Sequence, residues 1–278
     1  CKANPVIWSQ EAIKSGSARA VAINSGGANC YTGPEGFGIT HATAEAVGKF
    51  LGFGPIDVQV CSTGLIGLLN DRENLLAGMR HALDDLDADG GQAAAEAIMT
   101  TDSVPKQSVV ARDGYTVGGM AKGAGMLAPA LATMLVVITT DAVLEPGQAD
   151  AALRAATRTT FDRLDSDGCQ STNDTVLLMA SGASGESPDP DEFAEALRTV
   201  CHDLAMQLLA DARVPTTRSP STSSTPPPRT MQSTWAARSP AATCSSARSS
   251  ARTRTGAASS PRWAPRTLPS IPRTSTSP

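Results

Sequence analysis

Strand-length apolar runs interleaved with helical periodicities predict a layered α/β domain over residues 1–212, with a mixed or antiparallel sheet. Strand signals fall at Ala18–Asn24, Ile56–Ser62, Ser108–Arg112, Tyr115–Gly118, Met134–Thr140 and Asp174–Ser181. Helical spacing falls at His41–Leu51, Arg72–Leu86, Gln92–Met99, Ala149–Leu164 and Asp191–Ala212. In the last of these, Phe193, Leu197, Val200, Leu204 and Leu208 recur every three or four residues and form one apolar face. Asp189 to Glu192 supply the acidic first turn that suits a helix dipole. The Asp113-Gly114 pair between two strand runs predicts a tight hairpin, because Asp-Gly readily adopts the positive φ angles of such a turn.

Charge divides the chain of 278 residues sharply near Ala212. All 27 acidic residues lie in 1–212 with 13 basic ones, a net −14, whereas 213–278 holds ten Arg and no acid. That second stretch is Ser, Thr, Pro, Arg and Ala without periodicity, too poor in apolar surface to offset its ordering entropy, and is expected to be disordered. No apolar run approaches the roughly 18 residues of a membrane span. No glycine pattern fits a Rossmann or Walker loop, and no CxxC spacing points to a metal. Cys30, Cys61, Cys169 and Cys201 sit among apolar neighbours and read as buried free thiols of a cytoplasmic protein. The first residue is Cys1 rather than Met, so the chain is expected to be a fragment.

Two segments carry the chemistry. In the first, a Gly/Pro-rich stretch from Lys122 runs into a buried strand, with Thr133 at the junction. On spacing alone Thr133 reads first as a β-branched residue that starts a strand, since threonines at such junctions are common. The second is Val60-Cys61-Ser62-Thr63-Gly64-Leu65-Ile66-Gly67, which alone reads as a strand closed by a turn.

Both resemble signatures of the ornithine acetyltransferase family: Lys-Gly-x-Gly-Met-x-x-Pro-x-x-Ala-Thr-Met-Leu and Ser-Thr-Gly-x-Ile-Gly. Further segments match in the family's order across residues 2–212, among them Asn24–Asn29, Met99-Thr100-Thr101-Asp102 and Ser171–Thr175. The resemblance implies a layered αββα sandwich of the amino-terminal-nucleophile-like type. It implies self-cleavage between Ala132 and Thr133, so that 1–132 is an α-chain portion and 133–212 begins a β chain. Thr133 is then the nucleophile, its own freed α-amino group (pKa about 8) acting as base. Thr63 and Gly64 form the oxyanion hole, where one lost donor typically costs ~10²–10³ in rate. Lys122 and a threonine of the Thr100-Thr101 pair, taken as Thr100, contact substrate. The implied reaction moves an acetyl group from N-acetylornithine to glutamate through a Thr133 ester. The resemblance implies no bound cofactor, with acetyl-CoA an alternative donor in some members, and an assembly of two α and two β chains.

The sequence departs from the family after Ala212. Members continue Asp-Ala-Glu-Gly-Ala, and later carry Asp-Pro-Asn-Trp-Gly-Arg; this chain has Asp211-Ala212-Arg213-Val214-Pro215. Reading each codon from Arg213 one nucleotide late resolves both differences. Thr253, Arg254, Thr255, Gly256, Ala257 and Ala258 then permit Asp-Pro-Asn-Trp-Gly-Arg, and Arg213 permits glutamate. Residues 213–278 are therefore expected to be a frameshifted tail, with Arg213 standing where the family has its acid/base and substrate-site glutamate. Two rivals differ in class. A self-cleaving aminopeptidase would share the nucleophile and act on peptides. A non-enzymatic binder would use the ten Arg for salt-sensitive contact with nucleic acid, which the lack of interleaved aromatics disfavours.

Overall fold

The computed structural model describes residues 1–124, 134–165 and 171–212, and the backbone of 127–128, 131–132 and 253–255. In chain order the elements are α1 (Asn4–Ala12), β1 (Ala20–Asn24), α2 (Gly33–Leu51), β2 (Val58–Ser62) and α3 (Arg72–Asp84). These are followed by α4 (Gly91–Ala97), β3 (Lys106–Arg112), β4 (Tyr115–Lys122), β5 (Leu127–Ala128), β6 (Leu131–Ala132) and β7 (Leu135–Thr140). The last are α5 (Pro146–Thr159), β8 (Thr175–Ala180), α6 (Pro190–Asp211) and β9 (Thr253–Thr255).

Four layers result, in the order helix, sheet, sheet, helix. The larger sheet runs β3-β4-β7-β8-β9, antiparallel through β7 and parallel from there on. On β7, Val136 and Ile138 face α5 and α6, while Leu135 and Val137 face the small parallel sheet β1-β2. Leu177 on β8 likewise turns toward Cys61, Val21 and Ile23, and its neighbours Val176 and Leu178 turn toward the helices. Burial on both faces is why these strands read as unbroken apolar runs rather than alternating ones. The apolar stripe of α6, Phe193, Leu197, Val200, Leu204 and Leu208, closes the outer core as its spacing predicts. On the other side, Trp8, Ala12, Ala44 and Val47 of α1 and α2 cover Ala22, Val58 and Val60.

The elements appear where periodicity places them, with informative differences. The hairpin turns at Gly114, φ +81°, and its strands extend further than expected, back to Lys106 and on to Lys122. Helix α5 starts earlier, at Pro146, on a reciprocal cap between Glu145 and Gln148. Helix α2 begins at Gly33 rather than His41; Gly33, Pro34, Gly36 and Gly38 disguise its first turns as a loop. Those turns are held by the buried Asn29 side chain, which donates to Gly36 O (2.8 Å) and Thr40 Oγ1 (2.9 Å). Helix α1 gave no amphipathic signal because it buries polar atoms against β2. Trp8 Nε1 donates to Val58 O (3.0 Å), and Ser9 Oγ donates to Val60 O (3.0 Å) and accepts from Val60 N (2.9 Å). These side chains occupy the edge of β2 that β1 leaves free. Cys30, Cys61 and Cys201 are buried free thiols, and Cys169 lies outside the described residues. The expectation for 213–278 likewise lies outside them, save Thr253–Thr255, which pairs in parallel with β8.

Candidate active site

The strand register gathers several chain segments at one end of the sandwich. Lys122 ends β4 opposite Leu135, which opens β7, and Leu135 lies opposite Thr175, which opens β8. The end of β2 reaches the same place. Lys122 Nζ donates to Thr63 Oγ1 at 3.2 Å, and Asn173 Nδ2 donates to Ser62 O (2.8 Å) and Ala28 O (2.6 Å). Met134 N donates to Asp174 Oδ1 at 3.1 Å, which fixes the start of β7 beside the start of β8.

Thr63 and Lys122 are only 3% and 2% exposed, so their contact is made out of water. Thr63 N donates to Asn24 O (3.0 Å), and its Oγ1 accepts from Lys122, which leaves its hydroxyl proton to donate elsewhere. Gly64 follows with φ +127°, and its N–H makes no hydrogen bond to another described residue. A Cβ at Gly64 would stand 2.2 Å from Gly26 O, so the turn packs too closely on Gly26 for any side chain.

A buried charge network stands behind Lys122. Asp102 Oδ1 accepts from Lys106 Nζ (2.7 Å) and Gly123 N (2.6 Å), and its Oδ2 accepts from Thr100 N (3.1 Å) and lies 4.0 Å from Lys122 Nζ. Lys106 Nζ also donates to Asp211 Oδ2 (2.6 Å), and Asp211 accepts from Ser103 N (2.9 Å), binding the end of α6 to this loop. Burial alone would raise the Asp102 carboxyl, but hydrogen bonds from Lys106, Gly123 and Thr100 and the Lys106 charge outweigh it and hold it low. Asp211 is held low in the same way, burial being overcome by Lys106 and Ser103. Burial pushes the Lys122 ammonium to a lower pKa; Asp102 and Asp174 oppose that shift and Lys106 adds to it.

Of the residues expected at the site, Thr63, Gly64 and Lys122 come together, and Thr100 joins through Asp102. Thr100 itself is exposed. Ala132 is described by its backbone, paired with Leu127; Thr133 and Arg213 lie outside the described residues. Sequence reasoning gave no role to Asp102, Asn173 or Asp174, although each sits in a segment it singled out. Lys106 and Asp211 carried no signal, since a lone lysine at a strand start and a lone aspartate at a helix end ordinarily face water.

Residues 1–218 match the ArgJ family. The chain belongs to that family. Among its relatives, it is 64% identical over 211 residues to the arginine biosynthesis bifunctional protein ArgJ of Streptomyces coelicolor, covering 76% of this chain and 55% of that one. The ArgJ protein of Thermobifida fusca is 59% identical over the same length and coverage. The chain thus spans about half the length of the curated relatives it matches. It is also similar to the crystal structure of ornithine acetyltransferase complexed with ornithine from Mycobacterium tuberculosis. That match has 51% identity, covers 48% of this chain and 72% of the other, and has a TM-score of 0.45.

Two cavities, of ≈ 690 and ≈ 490 Å³, lie away from the Thr63–Lys122 cluster, beside β1 and α3 and beside the Thr139–Asp141 end of β7. Among the described residues no group of three or more His, Cys, Asp or Glu could hold a metal, and no helix is long and apolar enough to cross a membrane.

Proposed function

We propose that this chain is the core of a glutamate N-acetyltransferase of arginine biosynthesis, in which Thr133 is both the product of self-cleavage and the nucleophile. The observation that carries the reading is the buried contact of Lys122 with Thr63 beside the Gly64 N–H, which pairs with no other described residue, at the end of the sandwich where β7 starts. Thr133 is two residues before Leu135, the first residue of β7.

Cleavage of the Ala132–Thr133 amide consumes one water, leaves a carboxylate on Ala132 and frees the Thr133 α-amino group. That amine then takes the hydroxyl proton as Thr133 Oγ attacks the acetyl carbonyl of N-acetylornithine. The Thr63 hydroxyl and Gly64 N–H receive the developing oxyanion, and positive groups such as Lys122 suit the substrate carboxylate. The acetyl C–N bond breaks, the proton passes to the departing amine, and ornithine leaves. The amine of glutamate next attacks the Thr133 ester and departs as N-acetylglutamate, returning the proton to Thr133 Oγ. Splitting one transfer into two through an ester is the gain of covalent catalysis.

The same reading gives the mature enzyme two α and two β chains, a cytoplasmic setting and no bound cofactor, acetyl-CoA being an alternative donor in some family members. It divides the chain into an α portion at 1–132, the start of a β chain at 133–212 and a frameshifted tail at 213–278. Arg213 then puts a cation where the family has a carboxylate, and transfer to glutamate fails in the chain as written. The test is an acetyl-transfer assay with N-acetylornithine and glutamate on two proteins, this chain and one whose reading frame is restored from position 213. Activity in the restored protein alone supports the proposal. Inactivity of both, or release of amino acids from peptides by either, counts against it.

A further inference from the structure

We infer that Asp102 is the positioning residue of this site, the carboxylate that holds the Lys122 ammonium on Thr63 while fastening Gly123 and the end of α6 around it. The inference rests on the proposed role of Lys122 and names what orients it. Four groups converge on this one side chain, whose exposure is zero: Lys106 Nζ at 2.7 Å, Gly123 N at 2.6 Å, Thr100 N at 3.1 Å and Lys122 Nζ at 4.0 Å. The two oxygens divide the work. Oδ1 takes Lys106 and Gly123, and Oδ2 faces Lys122 with the Thr100 N–H beside it.

A carboxylate serving only the fold would be neutralised by Lys106 alone. Here Lys106 is shared with Asp211, at 2.6 Å, so two carboxylates face one ammonium, and the surplus negative charge lies against Lys122. The charged groups acting on Lys122 are Asp102 and Asp174, which favour its protonated form, and Lys106, which disfavours it. The Gly123 N–H bond adds position to charge. It pins the residue after Lys122, so the Lys122 stem enters the site from a fixed backbone. Asp211, held by Lys106 and Ser103, brings the end of α6 to the same cluster, two residues before Arg213.

The experiment follows the titration of Lys122 by NMR in the full chain labelled at its five lysines, with Lys122 assigned by its loss in Lys122→Arg. In Asp102→Asn the Lys122 midpoint moves to lower pH, and cleavage between Ala132 and Thr133 slows on the order of 100-fold, the scale of a misplaced catalytic group. Asp102→Glu keeps the charge and recovers most of the midpoint. Asp211→Asn, whose carboxylate reaches Lys122 only through Lys106, loosens the fold and lowers the midpoint less than Asp102→Asn does, which separates positioning from general destabilisation. If Asp102→Asn unfolds, the same change is made on Lys106→Met and the Lys122 midpoint is compared with that of Lys106→Met alone, so that the loss of the Lys106 charge cancels. An unchanged Lys122 midpoint in a folded Asp102 variant overturns the inference. The titration is read whether or not the chain cleaves itself, so failure of the proposed function leaves this result standing on its own.

Discussion

Lys122 Nζ stands 3.2 Å from Thr63 Oγ1, joining the last residue of β4 to the residue that follows β2 across the gap between the two sheets. The amine donates and the hydroxyl oxygen accepts, so Thr63 keeps its own proton to give. Replacing Thr63 by Val preserves shape and removes that proton. Acetyl transfer by the frame-restored protein is expected to fall ~10²–10³-fold, and stability by about 1–3 kcal/mol because the buried Lys122 Nζ loses its acceptor. Equal rates for the two proteins would remove Thr63 from the oxyanion hole.

Gly64→Ala is expected to be far more damaging to the fold. The new Cβ meets Gly26 O at 2.2 Å, and φ +127° is itself strained for alanine. The backbone strain alone costs about 1–3 kcal/mol, and the clash adds to it. Urea denaturation checks this, and a midpoint equal to that of the parent would show that the turn relaxes.

Asn173 ties the segment before β8 to the loop after β1 and to the end of β2, through Ala28 O and Ser62 O. Asn173→Ala leaves two carbonyls in a buried setting without this donor, at about 1–3 kcal/mol each. The expected result is a lower urea midpoint with an unaltered slope; a loss under about 0.5 kcal/mol would mean that other donors replace the amide.

Acid sensitivity follows from Asp102 and Asp211. Both carboxyls are held below their ordinary range in the folded chain, so the stability they confer is present above the unfolded value of about 4. It is lost as pH falls through the lower folded values. Lys122 acts at the other end. Its folded pKa is lowered, so its burial opposes folding while it is protonated, and that cost is relieved as pH rises from the folded value toward about 10.4. Urea midpoints should therefore fall on acidification below pH 4, and less so in Asp211→Asn. An identical acid profile in that variant would contradict the assignment.

Burial pushes the Cys61 and Cys201 thiols up to about 12, so neither forms a thiolate at neutral pH. Alkylation of the native chain followed by mass spectrometry should modify the exposed Cys1 well before either of them. Rapid labelling of Cys61 would mean that the two sheets part readily.

The frameshift is tested in the coding DNA. To restore Asp-Pro-Asn-Trp-Gly-Arg, the codons of Arg252, Thr253, Arg254, Thr255, Gly256 and Ala257 must end in G, C, A, T, G and C. Other third bases in that stretch would refute the shifted reading of the tail.

The elements of the two central layers were legible because burial on both faces leaves long apolar runs, as at Leu135–Thr140 and Thr175–Ala180. The stripe of α6 was legible for the same reason at a helical period. What escaped was structure held by polar atoms. Helix α1 docks through Trp8 Nε1 and Ser9 Oγ, and the first turns of α2 hang on Asn29. The site divided along the same line. Thr63, Gly64 and Lys122 were visible as motif residues, whereas Asp102 acquires its meaning only when Lys106, Gly123 and Lys122 arrive from elsewhere in the chain.

The most direct measurement is the intact mass and N-terminal sequence of the purified chain after incubation at neutral pH. The expected result is two polypeptides, the second beginning at Thr133, and a single uncut polypeptide when Thr133 is replaced by Ala. An uncut parent chain, in this form and with the reading frame restored, would contradict Thr133 as a self-released nucleophile.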